Sequence, residues 1–500
     1  MPTCRFRPSP AVLVLAVLGL LGVFSCGGAA VAGEGQGLLV IAIDALRRDH
    51  LQVYGSDRAT SPFLQRLAAD SVVFEDAWST GAALEASHVA LLTGCDPLVA
   101  ISPRVPLKNG DSVEPALPWR VPAEVPHLPL EFLAEGWATG GFVDHPGLSE
   151  VSGFGLGFHD FLVSRKSSST RGSGVENVAP RLLRWLDDLE DQRNWFGYMH
   201  LGDLELLWSK GVDNLPMDFP PRPELDYLVP QGNSSPVFHA LPRGMRSEFR
   251  RSLGDYESIY DTAIARLDGA LEQLFEELDA RGVLDKTTVV LVGTYGFGFG
   301  EAGLLVDAGT LSEVDLRVPL MIRPAPYLGL PTGRREGALV SLLDLPPTLL
   351  GLASIREPDG MHGNSLGGLL AGSDEKVRDF AFALGGIHTG FAAVDEEYLY
   401  THSLPGQGKG RLQESWFGER TPKEVLVEGL FVRGERLRPG KRAAGIGNLP
   451  RSDRLRAAGE AWYTDLGRVR DALHLARWLP SVRDPRVLDE LRAKGLLGEL

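Results

Sequence analysis

The sequence predicts an α/β fold with a mostly parallel central sheet flanked by helices, followed by a smaller C-terminal α+β subdomain. Three observations predict it. Short continuous apolar runs, such as "GLLVIAID" and "KTTVVLVG", read as strands buried on both faces of a parallel sheet. Helical patterns alternate with these strands, as parallel neighbours joined by crossovers require. Beyond Gly372 the pattern changes to strands in direct succession, "FAFALGG" and "GFAAVDEEYLYTHS", and then to a charged helical tail from Ser452.

The elements follow in order. The first strand ends at Asp44, which places that carboxylate at a carboxyl end of the sheet, where open α/β folds hold their sites. "SPFLQRLAADSVVFEDAW" reads as a short helix with Phe63, Leu64 and Leu67 on one face, then a strand. "SHVALLTG" is a helix closed by Gly94. Next come the strand in "GWATGGFVDH", the helix "VAPRLLRWLDDLEDQ" and the strand "WFGYMHLGD". Prolines crowd residues 215–244, which marks a long surface excursion. An amphipathic helix follows, with Ile264, Leu267, Leu271, Leu274 and Leu278 at helical spacing. "KTTVVLVGTYGFGFGEAG" is a buried strand running into a glycine-rich loop, "RVPLMIRP" is another strand, and "SLLDLPPTLLGLA" is a helix with Pro346 and Pro347 near its first turn. The domain reading is a leader over 1–32, an α/β domain over 36–372 and a C-terminal subdomain with helical tail over 373–500.

Composition narrows the function. The 500 residues are 44% hydrophobic and 23% charged, which is ordinary for a globular chain. A formal net charge of -15 and the absence of a long Lys/Arg run argue against a nucleic-acid partner. Arg5 and Arg7, the apolar run "AVLVLAVLGLLGVF" and the small residues that follow read as an export signal. Two processing readings stand: lipidation at Cys26 after "VFS", which would give a lipid-anchored envelope protein, and cleavage after Ala32, which would give a periplasmic or extracellular one; an uncleaved anchor is the third. With only Cys4, Cys26 and Cys95 in the chain, no disulfide framework is expected.

Taken in order, "IDALRRDHLQVYG", "TSPFLQRLAADSVVFEDAWS", "SHVALLTG", "YMHLGD", "YDTAIARLDGALEQLFEELDARGVLDKTTVVLVG", "GTLSEVDLRVPLMIR", "SLLDLPPTLLGLA" and "GMHGNSLGGLLAG" resemble the sulfatase family of the alkaline phosphatase superfamily. The resemblance implies the sulfatase fold and a divalent cation, usually calcium, held by carboxylates at neighbouring strand ends. It also implies a formylglycine, serine or threonine beside the ion that attacks a sulfate or phosphate ester. A hard cation needs several oxygen ligands with negative charge among them, and it polarises the anionic group and activates the nucleophile.

Set against that pattern, Asp44 matches the first metal carboxylate, but the nucleophile position falls on Leu84. Glu85 takes the variable position, Ala86 the proline, Ser87 the serine and His88 the basic residue. Leucine has no lone pair and cannot mature to formylglycine. In the second metal loop Thr294 and Tyr295 stand where the family has Asp and His; a neutral hydroxyl and a phenol of pKa about 10 do not replace a carboxylate. Ala302 and Ala308 stand at positions of further histidines. "YMHLGDLE" keeps His200 and Asp203 but has Glu205 where a second histidine often stands.

The preferred reading is an exported, sulfatase-like pseudoenzyme without a resident cofactor, binding a sulfated or phosphorylated ligand or an envelope protein. Asp44, His88, His200 and Asp203 are its candidate anion-binding or residual site, and Arg47, Arg48 and His50 are possible attractors of an anion. The alternative is a sulfuric- or phosphoric-ester hydrolase or transferase with a rearranged metal site. It would take Ca2+ or another divalent cation on Asp44, Glu85, His88, His200, Asp203 and Glu205, with Thr80 or Ser87 attacking. A third reading, dinucleotide binding, rests on Gly298, Gly300 and Gly303 after a strand; it requires a helix directly after the glycines, which "LLVDAGTLSEVDLRVPL" does not predict.

Overall fold

The computed structural model describes residues 35–103, 119–164, 174–190, 193–226, 228–229, 245–247, 249–299, 311–385, 390–403, 428–433 and 450–478. The leader with Cys26 and Ala32, most of the proline-rich stretch after Val229, Gly300, Ala302, Gly303, Ala308 and the end of the tail lie outside these residues.

A nine-stranded sheet organises the chain. Its strands are β1 (Gly37–Ile43), β2 (Val72–Trp78), β3 (Ala138–Val143), β4 (Asp160–Val163), β5 (Trp195–Leu201), β6 (Thr287–Gly293), β7 (Arg317–Arg323), β8 (Arg334–Glu336) and β9 (Val340–Ser341). The order across the sheet is β8-β2-β7-β6-β1-β5-β3-β4, with β9 also on β2. β1 lies at the centre, parallel to β5 on one side and β6 on the other. Every residue of these three strands is buried, which explains their uninterrupted apolar runs.

The main helices are α1 (Pro62–Leu67), α2 (Leu84–Thr93), α3 (Leu128–Ala134), α4 (Val175–Asp187), α5 (Leu253–Ala280) and α6 (Leu345–Leu352). One apolar layer joins one face of the sheet to α1, α4 and α5; a second joins the other face to α2, α3 and α6. Each large side chain removed from water in these layers is worth about 1.5–3 kcal/mol. A separate four-stranded antiparallel sheet, β10 (Ala381–Leu384), β11 (Gly390–Val394), β12 (Tyr398–Ser403) and β13 (Glu428–Val432), forms the small C-terminal part with helix α7 (Pro450–Trp478).

The structure adds two details to the mostly parallel sheet and the long helix that the sequence predicts. β7 runs antiparallel to both neighbours, β2 and β6, so the sheet is mixed; a buried apolar run reads the same in either direction. Helix α5 starts at Leu253, about two turns before Tyr260, where the predicted helix "YDTAIARLDGALEQLFEELDARG" begins. A capping box sets that start: the Ser252 side chain accepts the Asp255 N–H, and the Asp255 carboxylate accepts the Ser252 N–H. The extra turns are anchored by buried Leu253, Tyr256 and Ile259.

Candidate functional site

The register of the three central strands places the site. Ala42 of β1 faces His200 of β5, and Ile43 faces Gly293 of β6. The chain leaves β1 at Asp44, whose N–H donates to Leu201 O at 3.0 Å, while Thr294 N–H donates to Ile43 O at 3.0 Å. Asp44 and Thr294 are therefore neighbours at the carboxyl ends of adjacent strands. Helix α2 brings in His88, one helical turn after Leu84 and on the same side.

These residues close on the Asp44 carboxylate. Oδ1 accepts from His88 Nε2 at 2.9 Å and from the Thr294 hydroxyl at 2.5 Å. Oδ2 accepts from His200 Nε2 at 2.8 Å. The two imidazole rings are 4.9 Å apart at 69°. Asp44, His88, His200 and Thr294 all have 0% of their surface exposed. Burial alone would raise the Asp44 carboxyl, but the two imidazoles and their hydrogen bonds outweigh it and hold the carboxyl well below the usual carboxylate range.

Around this knot stands a further ring of partners. Tyr198, two residues before His200 and so on the same face of β5, meets His88 Nδ1 at 2.5 Å. Burial and the Asp44 charge push its phenol well above the ordinary value, so it keeps its proton. Burial lowers His88 from its usual range and keeps the ring neutral. His200 Nδ1 accepts the backbone N–H of Asp144 at 3.2 Å. Ala45, next to Asp44, holds a left-handed backbone at φ 56, a conformation that costs a non-glycine residue about 1–3 kcal/mol and recurs at functional sites. The Tyr260 hydroxyl secures it by donating to Ala45 O at 2.5 Å and accepting from Arg47 N at 2.9 Å.

Of the four candidate residual-site residues the fold thus gathers Asp44, His88 and His200, with Thr294 beside them. It sends Asp203 elsewhere: Asp203 Oδ2 accepts the N–H of Val175 at 3.1 Å, and Asp144 Oδ2 accepts that of Gly174 at 2.6 Å, so the two carboxylates hold the start of α4. Burial raises the Asp203 carboxyl to about 7. Tyr295 is 2% exposed and packs in the apolar layer that contains α5. Leu84 is the first residue of α2 and lies against Gly147. Glu85 is half-buried, and burial raises its carboxyl.

The alternative nucleophiles are tied into the turn before α2. The Ser87 hydroxyl is 3.1 Å from each of Ser79 Oγ, Gly81 O and Ala83 O, and the Thr80 hydroxyl donates to Ala86 O at 2.9 Å. Glu205 stands 4.0 Å from His145 Nε2. The basic residues are engaged too. Arg47 binds Asp49 and Phe297 O, Arg48 pairs with Glu75 at 3.1 Å, and His50 Nδ1 meets Asp261 at 2.6 Å.

Tyr198 and Asp144 are absent from the sequence reading. Period-two spacing from His200 points to Tyr198, whereas Asp144 acts on His200 through its backbone N–H, which no side-chain pattern reveals.

Calcium takes about six to eight oxygen ligands. Here one carboxylate stands at the position, both its oxygens already accept hydrogen bonds, and its nearest companions are two ring nitrogens and a hydroxyl. This donor set does not fit calcium.

The mixed central sheet with helices on both faces and a carboxylate at the end of its middle strand define an α/β protein with a strand-end site. The sequence profile of the family described as Sulfatase matches residues 36–355. The chain belongs to the sulfatase family. It is 33% identical over 113 residues to an extracellular sulfatase SULF-1 homolog of Drosophila melanogaster, covering 23% of this chain and 10% of that protein. It is 29% identical over 188 residues to an ulvan-active sulfatase of Formosa agariphila, covering 36% of this chain and 34% of the relative. The matched stretches thus span a minor part of these relatives' own length. Among solved structures, a 2-O GAG sulfatase superposes with a TM-score of 0.62 at 17% identity, over 91% of this chain and 96% of that one. The phosphonate monoester hydrolase of Agrobacterium radiobacter superposes with a TM-score of 0.56 at 17% identity, over 74% and 87%. Both likenesses concern the fold.

Proposed function

We propose that this chain is an exported, non-catalytic member of the sulfatase family that acts by binding. The observation that carries this reading is the pairing of Leu84, at the head of α2, with an Asp44 group of which no surface is exposed. An ester hydrolase of this fold needs a nucleophile and a cation open to the substrate on one side. Here the position that the family resemblance gives the nucleophile is an alkyl side chain, and the carboxylate that would hold the cation is buried and fully hydrogen-bonded.

Binding of an anion at the old centre is disfavoured by the same geometry, because Arg47, Arg48 and His50 are engaged with Asp49, Glu75 and Asp261. An envelope protein partner is the better reading. Leu228, on the proline-rich excursion, is 71% exposed, and Phe249, just before α5, is 82% exposed. Large apolar side chains left in water are the ones a contact surface uses.

The test is turnover. The purified chain is assayed against aryl sulfate and aryl phosphate esters with calcium, magnesium, manganese or zinc present. No hydrolysis above the uncatalysed rate is expected with any ion. Turnover that disappears in Asp44→Ala would overturn the reading in favour of an ester hydrolase with a rearranged site.

A further inference from the structure

We propose that the Asp44–His88–His200–Thr294 knot is a cation-free replacement for a metal centre: it pins the ends of β1, β5 and β6 to α2 by hydrogen bonds alone, and it excludes nitrogen-seeking metals as well as calcium. The inference deepens the non-catalytic reading and rests on it only for the loss of calcium. A candidate for the opposite conclusion is visible. The ligand atoms of Asp44, His88 and His200 lie within 4.8 Å of one another, the one such group among the described residues, and two imidazoles with a carboxylate form a zinc-type donor set.

The hydrogen bonds decide against zinc. A neutral imidazole carries one proton. His200 Nδ1 receives the Asp144 N–H, so it must present a lone pair there, and the ring's proton resides on Nε2, directed at Asp44 Oδ2. A histidine that ligates through Nε2 has the reverse arrangement, with Nδ1–H donating to an acceptor. No rotation of a hydroxyl cures this conflict, because the group facing His200 Nδ1 is a backbone amide. His88 is set the same way: the Asp44 carboxylate can only accept, so the ring's proton lies on Nε2 facing Oδ1, and Nδ1 of the neutral ring takes the Tyr198 hydroxyl.

Distance agrees. The nitrogen-to-oxygen separations of 2.9 and 2.8 Å are those of charge-assisted hydrogen bonds. Ligands about 2.0–2.1 Å from a tetrahedral zinc stand about 3.3 Å from one another. Every polar atom of the knot is then accounted for without an ion. Asp44 accepts from two imidazoles and one hydroxyl, and each imidazole accepts from one donor behind it. Three fixed donors supply the compensation that a buried carboxylate otherwise takes from a cation.

The experiment uses the full purified chain, passed through chelator and then exposed separately to zinc and calcium. Metal content after desalting, melting temperature with and without each ion, and the 15N chemical shifts of the imidazoles are measured. Less than about a tenth of an equivalent of either ion, melting unmoved by ion or chelator, and both buried histidines as neutral rings protonated on Nε2 are expected. A bound ion at about a hundred times its Kd would raise the melting temperature by several degrees. A stoichiometric ion lost in His200→Gln, or Nδ1-protonated buried rings, would overturn the proposal even if no ester is turned over. Ester turnover by a metal-free chain would instead defeat the non-catalytic reading and leave the knot standing. Thr294→Asp adds a positive control: a second carboxylate against Asp44 should make folding depend on a divalent ion. If that variant does not fold, the wild-type measurements still decide.

Discussion

Asp44 shows how much of a buried site can rest on one carboxylate. Three donors converge on its carboxylate, so Asp44→Ala leaves two imidazole N–H groups without an acceptor in a fully buried place and the Thr294 hydroxyl with only its longer bond to Ile43 O at 3.4 Å. Each buried donor left without its acceptor costs about 1–3 kcal/mol, because it cannot reach water. Urea unfolding of Asp44→Ala should show a loss of that order. Asp44→Asn should lose less, since its amide oxygen still accepts but its NH2 must face a donor. A loss below about 1 kcal/mol in the alanine variant would mean that the knot is open to solvent. Leu84 gives the complementary prediction. Leu84→Ser places a hydroxyl at the head of α2; the non-catalytic reading gives it no cation to activate it, so the expected outcome is folded protein with no ester hydrolysis, and measurable turnover would overturn that reading.

At the scale of elements, α4 is held at its start by two carboxylates. Gly174 has φ 66, and a Cβ on it would overlap the Asp203 carboxylate, so the tight approach needs glycine. Asp203 is raised by burial from 3.8 to about 7. Between those values the folded chain holds a proton that the unfolded chain has released, so this group's contribution is full below about pH 4 and is lost as the pH rises through about 7. Asp203→Asn keeps an oxygen for the Val175 N–H and cannot ionise. It should flatten the fall in stability between about pH 4 and 7 and make the chain more stable than the wild type at about pH 8, read by melting temperature across that range. An unchanged pH profile would place the proton elsewhere.

Elements also show what the sequence conveys and what it withholds. Buried runs such as Leu38–Ile43 and Thr288–Val292 announce strands, and Gly94 closes α2 with φ 63 as a glycine after a helix should. The direction of β7 has no such signal. The early start of α5 is hidden because its box pairs Ser252 with an aspartate, where the usual signature has Glu or Gln. At the site, Asp44, His88 and His200 are legible as residue types at strand ends and on the α2 face. Asp203 is not, because sequence distance from His200 does not tell which way a turn residue points, and here it turns toward α4.

For the whole molecule, the question is how the small antiparallel sheet is coupled to the main one. Residues Glu34–Leu500 form one compact unit, so the C-terminal part does not stand apart as a separate body. Its seam runs through the turn that precedes α2. Leu384 N–H donates to Thr80 O at 2.8 Å, and a Cβ on Gly81 would come within 2.8 Å of Leu384 O and 2.7 Å of the Ala86 Cβ. Two further ties reinforce it: Arg433 pairs with Asp76 and lies over Trp78, and Trp462 of α7 donates its indole N–H to Asp96 at 2.8 Å. Gly81→Val therefore forces its side chain against the Leu384 carbonyl and the Ala86 Cβ at the seam, where no flexible side chain can yield. Calorimetry of the wild type should give one cooperative transition, because the two sheets share this turn. In Gly81→Val the antiparallel sheet and α7 should melt first as a separate, smaller transition, while the main transition moves little. A single transition shifted as a whole would instead mean that the turn is part of the main core's folding and that the seam does not control coupling. The first outcome also bears on α2, since the turn that loosens carries Ser79, Thr80 and Gly81 directly into the helix that positions His88. Loosening it should then raise hydrogen exchange at the start of α2 without exposing β1.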